Sequence, residues 1–329
     1  MPSPLIINNL TGQPQLRPLA AEDLNRVAMI DAAAVGRSRR FYFERRLAAA
    51  LRHPEQHLQY AAQDAWDLSG YALARVLAGE FGRDRPALML EVIGVNFSRR
   101  GLGIGQRLLE ALETDARRRG IRELWTQASW HQDRMLRFIA RAGFELASPH
   151  VLQCAVHAGP YGAGAELPLA GDTEAGEYAR LARDLREVRS MEASDLDAIV
   201  RIDRKLTGRE RRDYMASRLA EALGESAVRI SLTVRCEGAV AGFAMARMDF
   251  GDFGRAEPVA ILDTLGVDPD YARRGLGAAL LSQLMVNLSA LGIEAVETTV
   301  AHNDFALLAF LYHAGFGASS RLAFLKRLE

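Results

Sequence analysis

The chain is predicted to be an α/β protein built from two tandem copies of one domain. Each copy is expected to hold a mixed, mostly antiparallel sheet with helices on both faces and one βαβ crossover. Three observations predict this. The length, 329 residues, suits two domains better than one. The chain repeats itself at a constant offset of 172 residues: Asp31 matches Asp203, Gly36 Gly208, Arg37 Arg209 and Tyr42 Tyr214. Within each repeat, helical periodicity gives way to alternating runs and then to strand-helix-strand-helix-strand.

The offset holds without a gap from Arg17/Arg189 to Phe144/Phe316, through Gly70/Gly242, Gly94/Gly266 and Gly120/Gly292. The copies are therefore placed at 1–156 and 187–329. The stretch between them, 157–186, has no counterpart in the repeat. Its Gly-, Ala- and Pro-rich first part reads as a linker, and its second part has good helix formers.

The elements are read most easily in the second copy. An Asx/Ser start before Leu196, Ile199, Val200 and Ile202 marks a helix, and 211–223 marks a second. Alternation over 229–236 and 239–250, with Glu237-Gly238 between, marks a hairpin. A third strand ends at Asp268-Pro269. Leu280, Leu281, Leu284, Leu288 and Leu291 then share one helix face, closed by Gly292 as a C-cap. A strand at 294–300, a helix at 304–315 and a last strand at 322–328 complete the copy.

Composition narrows the function. Lys plus Arg and Asp plus Glu both number 41, so the basic excess of a nucleic-acid binder is missing. No apolar run is long enough to span a membrane, and the start of the chain does not read as a secretory signal. Cys154 and Cys236 stand far apart with no metal-ligand spacing, which fits reduced thiols in a cytoplasmic protein. No metal site is expected.

Chemistry concentrates where a strand meets a Gly-rich loop and a helix. The loop reads 264-TLGVDPDYARRGLGAALL-281 in the second copy and 92-VIGVNFSRRGLGIGQRLL-109 in the first. A Gly-x-Gly at a helix start lets backbone N–H groups approach an anion, and the helix dipole adds positive potential. A pyrophosphate suits such a site. The loop is neither a Walker loop nor a dinucleotide fingerprint. A single Gly-x-Gly is often a plain turn, but here it recurs at the same point of both copies.

With these loops the sequence resembles the GNAT N-acetyltransferase superfamily, whose loop pattern is Gln/Arg-x-x-Gly-x-Gly/Ala. The first copy matches as Arg100-Gly101-Leu102-Gly103-Ile104-Gly105. The second, Ala272-Arg273-Arg274-Gly275-Leu276-Gly277, lacks the leading Gln/Arg. Val267-Asp268-Pro269 matches the family's Val-x-Pro, and Gly143-Phe144 and Gly315-Phe316 its closing Gly-Phe. The resemblance covers nearly all of both copies. It implies acetyl-coenzyme A as co-substrate and acetyl transfer to an amine. It places the pyrophosphate on Arg273, Arg274, Gly275, Leu276, Gly277 and Ala278, and the pantetheine arm along Leu265, Gly266 and Val267. Asn303 stands near the family's Asn on the later helix. In the first copy the matching positions are Ile93, Val95, Arg100, Gly101, Gly103 and Gly105. Tandem members in which only one copy catalyses are known in this family.

Two departures matter. The family's Tyr, the acid that protonates the leaving thiolate, falls at Leu311 and Ile139; Tyr312 lies one place on, a rotation of about 100°. Tyr312 is read either as a displaced acid or as a surface residue. A base is useful because the amine must lose a proton before attack. Asp263, on the face expected to carry Ile261, Leu265 and Val267, is the candidate, with Glu91 at the same place in the first copy. Each is read either as a site acid or as the partner of a nearby Arg. Arg209, Arg211 and Tyr214 border the expected acceptor site and either bind an anionic part of the acceptor or pair with carboxylates.

The reading that results is an acetyl-coenzyme A-dependent N-acetyltransferase acting on a primary amine by direct attack, with the second copy as catalyst. The alternative is a coenzyme-A-binding module for sensing or assembly. The acceptor, a small molecule or a peptide, and any homo-oligomer stay open; nucleic-acid and membrane partners are not expected. Finally, Glu113, Thr114 and Arg119 become Met285, Val286 and Leu291 in the second copy, so part of that helix is expected to pack outside its own domain.

Overall fold

The computed structural model of the chain describes residues 14–64, 67–79, 85–156, 186–224, 230–255 and 257–329. The expected linker lies outside the described residues except for Arg186. The first copy runs β1 (Gln15–Pro18), α1 (Leu24–Val35), α2 (Arg40–Arg52), β2 (His57–Gln63), β3 (Leu68–Leu77), β4 (Ala87–Val95), α3 (Ile104–Arg118), β5 (Glu123–Ser129), α4 (Asp133–Arg141), β6 (Glu145–Leu146) and β7 (His150–Ala155). The second repeats it: β8 (Glu187–Ser190), α5 (Leu196–Thr207), α6 (Arg212–Gly224), β9 (Leu232–Cys236), β10 (Ala239–Asp249), β11 (Val259–Val267), α7 (Leu276–Ala290), β12 (Ala295–Val300), α8 (Phe305–His313), β13 (Gly317–Ala318) and β14 (Arg321–Arg327). The expected elements are present, and each sheet has seven strands. Only β4–β5 and β11–β12 pair in parallel, which is the expected crossover around α3 and α7.

The sheets are not divided as the sequence copies are. Their orders are β1-β2-β3-β4-β5-β14-β6 and β13-β7-β12-β11-β10-β9-β8. The last long strand of each copy therefore lies in the other copy's sheet. β14 pairs with β5 from Arg321↔Ser129 to Arg327↔Glu123, and β7 with β12 from Ala155↔Ala295 to His150↔Val300.

Each sheet buries two apolar faces. On one, α3 packs Leu108, Leu109 and Leu112 over β2–β5, and α7 packs Leu280, Leu281 and Leu284 over β9–β12. On the other, α1 and α2 cover Tyr71 and Leu73, and α5 and α6 cover Phe243 and Met245. The core beneath α7 includes Leu152 from β7, so the exchange is part of the packing. Met285 and Leu291 are partly buried against this core, whose members are second-copy residues apart from Leu152, and Val286 is exposed.

The copies face one another about a pseudo-twofold axis. Gln127 Nε2 donates to Thr299 Oγ1 at 3.3 Å, and these residues are equivalent under the repeat. Farther out the contacts come in matched pairs. Arg39 Nη1 donates to the carbonyl of Gly251, and Arg211 Nη1 to that of Gly79. Both glycines lie close to a Tyr ring: a Cβ on Gly251 would clash with Tyr42 at 2.8 Å, and one on Gly79 would press on Tyr214 at 3.1 Å. No helix among the described residues is long and apolar enough to cross a membrane.

Candidate functional site

The strand gap comes first. β11 and β12 pair only at Ala260↔Val296 and Ile261↔Glu297, then diverge. β4 and β5 pair only at Leu88↔Leu124 and Met89↔Trp125. Beyond those points the gap-facing edge of Leu265, Gly266 and Val267, and of Ile93 and Val95, has no strand partner. At the mouth of each gap a helix begins on a glycine in the left-handed region, Gly103 (φ 76°) or Gly275 (φ 76°), and neither cap supplies a side-chain acceptor. The first-turn N–H groups are thus available to an anion. A Cβ at Gly101 or Gly103 would meet open space, so those glycines serve the backbone and whatever approaches it. Gly105 and Gly277 serve packing as well: a Cβ there would press on the rings of Phe138 and Phe310, at 3.2 and 3.0 Å. Arg273 holds the left-handed conformation (φ 59°) that Gly101 has in the first copy. Arg274 stacks on Tyr271 and pairs with Glu237 at 2.8 Å, and Arg100 stacks on Phe97 and donates to the Val95 carbonyl. This arrangement fits a ligand that is an extended, amide-bearing chain ending in a pyrophosphate.

The two acids sit on β-bulges. Leu73 faces Val92 and Ala74 faces Leu90, so Glu91 is the extra residue; Met245 faces Thr264 and Ala246 faces Leu262, so Asp263 is the extra residue. This corrects one expectation. The bulge inserts one residue into a period of two, so the faces exchange beyond it. Ala260, Leu262, Leu265 and Val267 all pack toward α7; of the residues expected beside Asp263 only Ile261 stays on its face, where Thr264 joins it by meeting Tyr214 of α6 at 3.4 Å.

The acids then differ. Glu91 is buried and clamped by Arg46 (2.5 Å) and Arg75 (3.2 Å). Burial opposes its ionisation, but the two guanidiniums win and hold its carboxyl below the usual range. Asp263 meets Arg247, the equivalent of Arg75, at 3.3 Å. Arg218, the equivalent of Arg46, pairs instead with Glu221 at 2.5 Å. An aspartate is one methylene shorter and does not span to Arg218, and Glu221 stands where the first copy has Ala49. Glu91 is thus paired with two arginines, and Asp263 is paired with Arg247 and also lines a cavity between the copies.

Asp252 was not singled out from the sequence. It lies in the turn after β10 that enters the first copy, where the Tyr42 hydroxyl donates to it at 2.7 Å. Burial first, then Asp249 and Glu91, push its carboxyl up to about 7. The one signal in the sequence was an acid, Glu80, at the equivalent place. Beside it Arg255 pairs with both Asp249 and Glu297. The recurrence of Arg46/Arg218 and Arg75/Arg247 at the common offset was a readable signal too.

Two cavities lie between the copies. One, of about 250 Å³, sits over the divergence of β11 and β12; the second copy lines it with Asp263, Asp252 and Glu297 beside Arg247 and Arg255, and the first with Leu77, Met89 and Trp125 beside Arg75 and Gln127. The second, of about 680 Å³, lies between α2 and the second sheet and touches both Glu91 and Asp263.

Tyr312 is not brought to this site. Leu311 fills the core, and the one-residue rotation leaves Tyr312 75% exposed on α8. Asn303 is also at the surface. Arg211 and Tyr214 do not face an acceptor: Arg211 pairs with Asp203 on α5, and Tyr214 is buried against Gly79. Arg209 lies on the exposed turn before α6.

The model of the acetyltransferase (GNAT) family matches residues 22–144 and again 196–316. The chain therefore belongs to the GNAT acetyltransferase family, as two tandem copies. Among characterised proteins, it is 34% identical over 109 residues to a mycothiol acetyltransferase of Clavibacter michiganensis, a stretch covering 33% of each chain. The match thus spans about a third of that relative's length. It is 27% identical over 136 residues to the ribosomal protein bS18-alanine N-acetyltransferase of Escherichia coli K12, covering 41% of this chain and 84% of that protein. Among solved structures, a tandem GNAT protein from the clavulanic acid biosynthesis pathway superposes with a TM-score of 0.61 at 16% identity, covering 96% of this chain and 98% of that one. A GCN5-related N-acetyltransferase from Sphaerobacter thermophilus gives 0.56 at 16% identity, with 96% of each chain covered. At these identities the structural likeness concerns the fold.

Proposed function

We propose that the chain transfers acetyl from acetyl-coenzyme A to an amine, and that the second copy carries out the reaction. The observation that carries this reading is the placement of Asp263. It stands on a bulge at the strand divergence and lines the small cavity there, which its counterpart Glu91 does not line. Acetyl-coenzyme A supplies an acetyl group activated as a thioester. The first-turn N–H groups around Gly275 to Ala278, with Arg273 and Arg274, would hold its pyrophosphate, and the open edge of Leu265 to Val267 its pantetheine arm. Asp263, or a water bound to it, takes a proton from the acceptor's ammonium, leaving the neutral amine whose lone pair attacks the thioester carbon. Thr298 donates to the Leu262 carbonyl at 2.9 Å and steadies β11 beside it. A backbone N–H of the open edge would polarise the thioester carbonyl.

A second reading, coenzyme-A binding without turnover, is favoured by one observation: Leu311 and Ile139 fill the core where a hydroxyl would protonate the thiolate. Thiol release from acetyl-coenzyme A across a panel of amines separates the two. Asp263→Asn should lower kcat by about 10²-fold or more. Glu91→Gln should leave kcat within about threefold while destabilising the fold by about 1–3 kcal/mol, because two buried guanidiniums lose their carboxylate. Turnover that survives D263N and vanishes in E91Q would assign the reaction to the first copy. No thiol release with any amine, together with tight coenzyme-A binding, would favour the second reading.

A further inference from the structure

We infer that the acceptor is a small amine with an apolar body, and that the first copy supplies the wall that selects it. The inference rests on the acetyltransferase reading above and goes on to the substrate class and to a specificity residue, Trp125. The cavity at the β11–β12 divergence is built asymmetrically from equivalent positions. Leu77, Met89 and Trp125 of the first copy stand opposite; their counterparts in the second are Asp249, Ile261 and Glu297. Leu77 and Trp125 form a buried apolar cluster with Ala87, and Met89 packs against it. In the second copy the same places carry the carboxylates that Arg255 holds. The first copy thus gives the cavity an apolar patch, bordered by Arg75 and Gln127, and the second gives it ion-paired groups, with Asp263 and Arg247 among them at the point where the strands part.

The same asymmetry explains why the first copy's own gap does not compete. Met89 and Trp125 stand at the point where β4 and β5 diverge and line the cavity there, while Glu91 does not reach it. The larger cavity touches both acids but no residue of β5 or β12, so it does not reach either gap. The acceptor nitrogen must come to the gap, and the small cavity is the one that does.

The occupant follows from the walls. An ammonium is placed beside the Asp263 carboxylate. Its body meets Leu77, Met89 and the Trp125 ring, where hydroxyl or peptide groups would lose water, with partners only at the margin of the patch, in Arg75, Thr126 and Gln127. The volume, about 250 Å³, lies below the roughly 300–1,000 Å³ of sites for drug-sized ligands. Arylalkyl- and alkylamines meet these conditions. Aminosugars and peptide N-termini do not.

The test uses the full-length protein with acetyl-coenzyme A and three acceptors: 2-phenylethylamine, glucosamine and an Ala-initiated hexapeptide. The expected result is a kcat/KM for 2-phenylethylamine at least tenfold above the other two. Trp125→Ala and Leu77→Asp should each raise its KM at least tenfold while coenzyme-A affinity stays within twofold; Trp125→Phe should stay within threefold of wild type. A preference for glucosamine or the peptide, or a KM unchanged in W125A and L77D, overturns the inference and leaves the acetyltransferase reading standing. Calorimetry of 2-phenylethylamine binding without acetyl-coenzyme A tests the cavity apart from turnover. Binding that is lost in W125A and retained in W125F supports it even if no acceptor is turned over, a result that would sink the acetyltransferase reading alone. No binding to the wild-type protein overturns it.

Discussion

Small side-chain differences separate two acids that share a position. Glu91 reaches two arginines, whereas Asp263, one methylene shorter, meets Arg247 while Glu221 takes Arg218. Both carboxylates were legible from the repeat, but whether Arg46 or its counterpart Arg218 turns to the strand acid depends on Ala49 against Glu221 across a helix–sheet contact. Asp252 adds a pH dependence. Its carboxyl is pushed up to about 7 by burial and by Asp249 and Glu91, against an ordinary value near 4. Between about pH 4 and 7 the native state keeps a proton that the unfolded chain has released, so this group's contribution to stability falls as pH rises through that window and levels off above it. The lowered carboxyls of Glu91 and Asp249 act the other way, losing stability only as pH falls below their ordinary values near 4. Asp252→Asn removes the titration and keeps an acceptor for Tyr42. Calorimetric scans should show the Tm of D252N gaining on wild type by about 2 °C or more from pH 5 to pH 8. A constant difference across that range would contradict the assignment.

At the scale of elements, the strand–loop–helix unit does in the structure what its sequence implies. Gly103 and Gly275 are left-handed caps, and the helices start without a side-chain acceptor. Reversing charge at these loops tests them without disturbing the core. Leu102 is 65% exposed, and Arg273 is exposed as well. Leu102→Glu should weaken coenzyme-A binding at the first copy, and Arg273→Glu at the second, each by about two- to tenfold at low salt and less at high salt. Isothermal titration at two ionic strengths reads both effects; an affinity indifferent to both substitutions would show that the anion binds elsewhere. Strand phase was less legible than the loops. Alternation along β11 reads as one continuous face, but the bulge at Asp263 belongs to its pairing with β10, and a single strand carries no sign of it.

For the whole molecule, the reciprocal strand exchange is written into helix–strand pairs. Glu113 of α3 is buried and pairs with Lys326 of β14 at 2.5 Å. At the equivalent places Met285 of α7 and Cys154 of β7 both pack on the second apolar core. Lys326 faces Leu124 on β5 and Cys154 faces Val296 on β12, in the same register. Were each strand to return to its own copy, the Glu113 carboxylate would lie beside a thiol and the Lys326 ammonium against Met285. Glu113→Met alone should destabilise the protein by about 1–3 kcal/mol in denaturant unfolding. The double substitution E113M/K326C, which copies the other pair, should recover to within about 1 kcal/mol of wild type; failure to recover would show that the pair does not act as a unit. Residues 187–329 expressed alone lack β7 and carry β14 without its partner β5, so light scattering should find a dimer or larger species. A well-folded monomer would mean that the exchange is dispensable.

Local information by itself determined the duplication, the order of helices and strands, the crossover and the glycine caps. These follow from periodicity, from the φ that a turn demands and from orphan N–H groups at helix starts, all set within a few residues. Glu91 and Asp263 were visible as acids in apolar strands for the same reason. The partners of those acids, the phase of the strands beyond each bulge, the solvent-facing place of Tyr312 and the two-walled cavity were decided by tertiary structure. So was the sheet that β7 and β14 join. A strand's backbone pairs equally well with either copy's edge. The choice is made by side chains such as Glu113 and Lys326, 213 positions apart, and that pairing energy exists only once both sheets have formed.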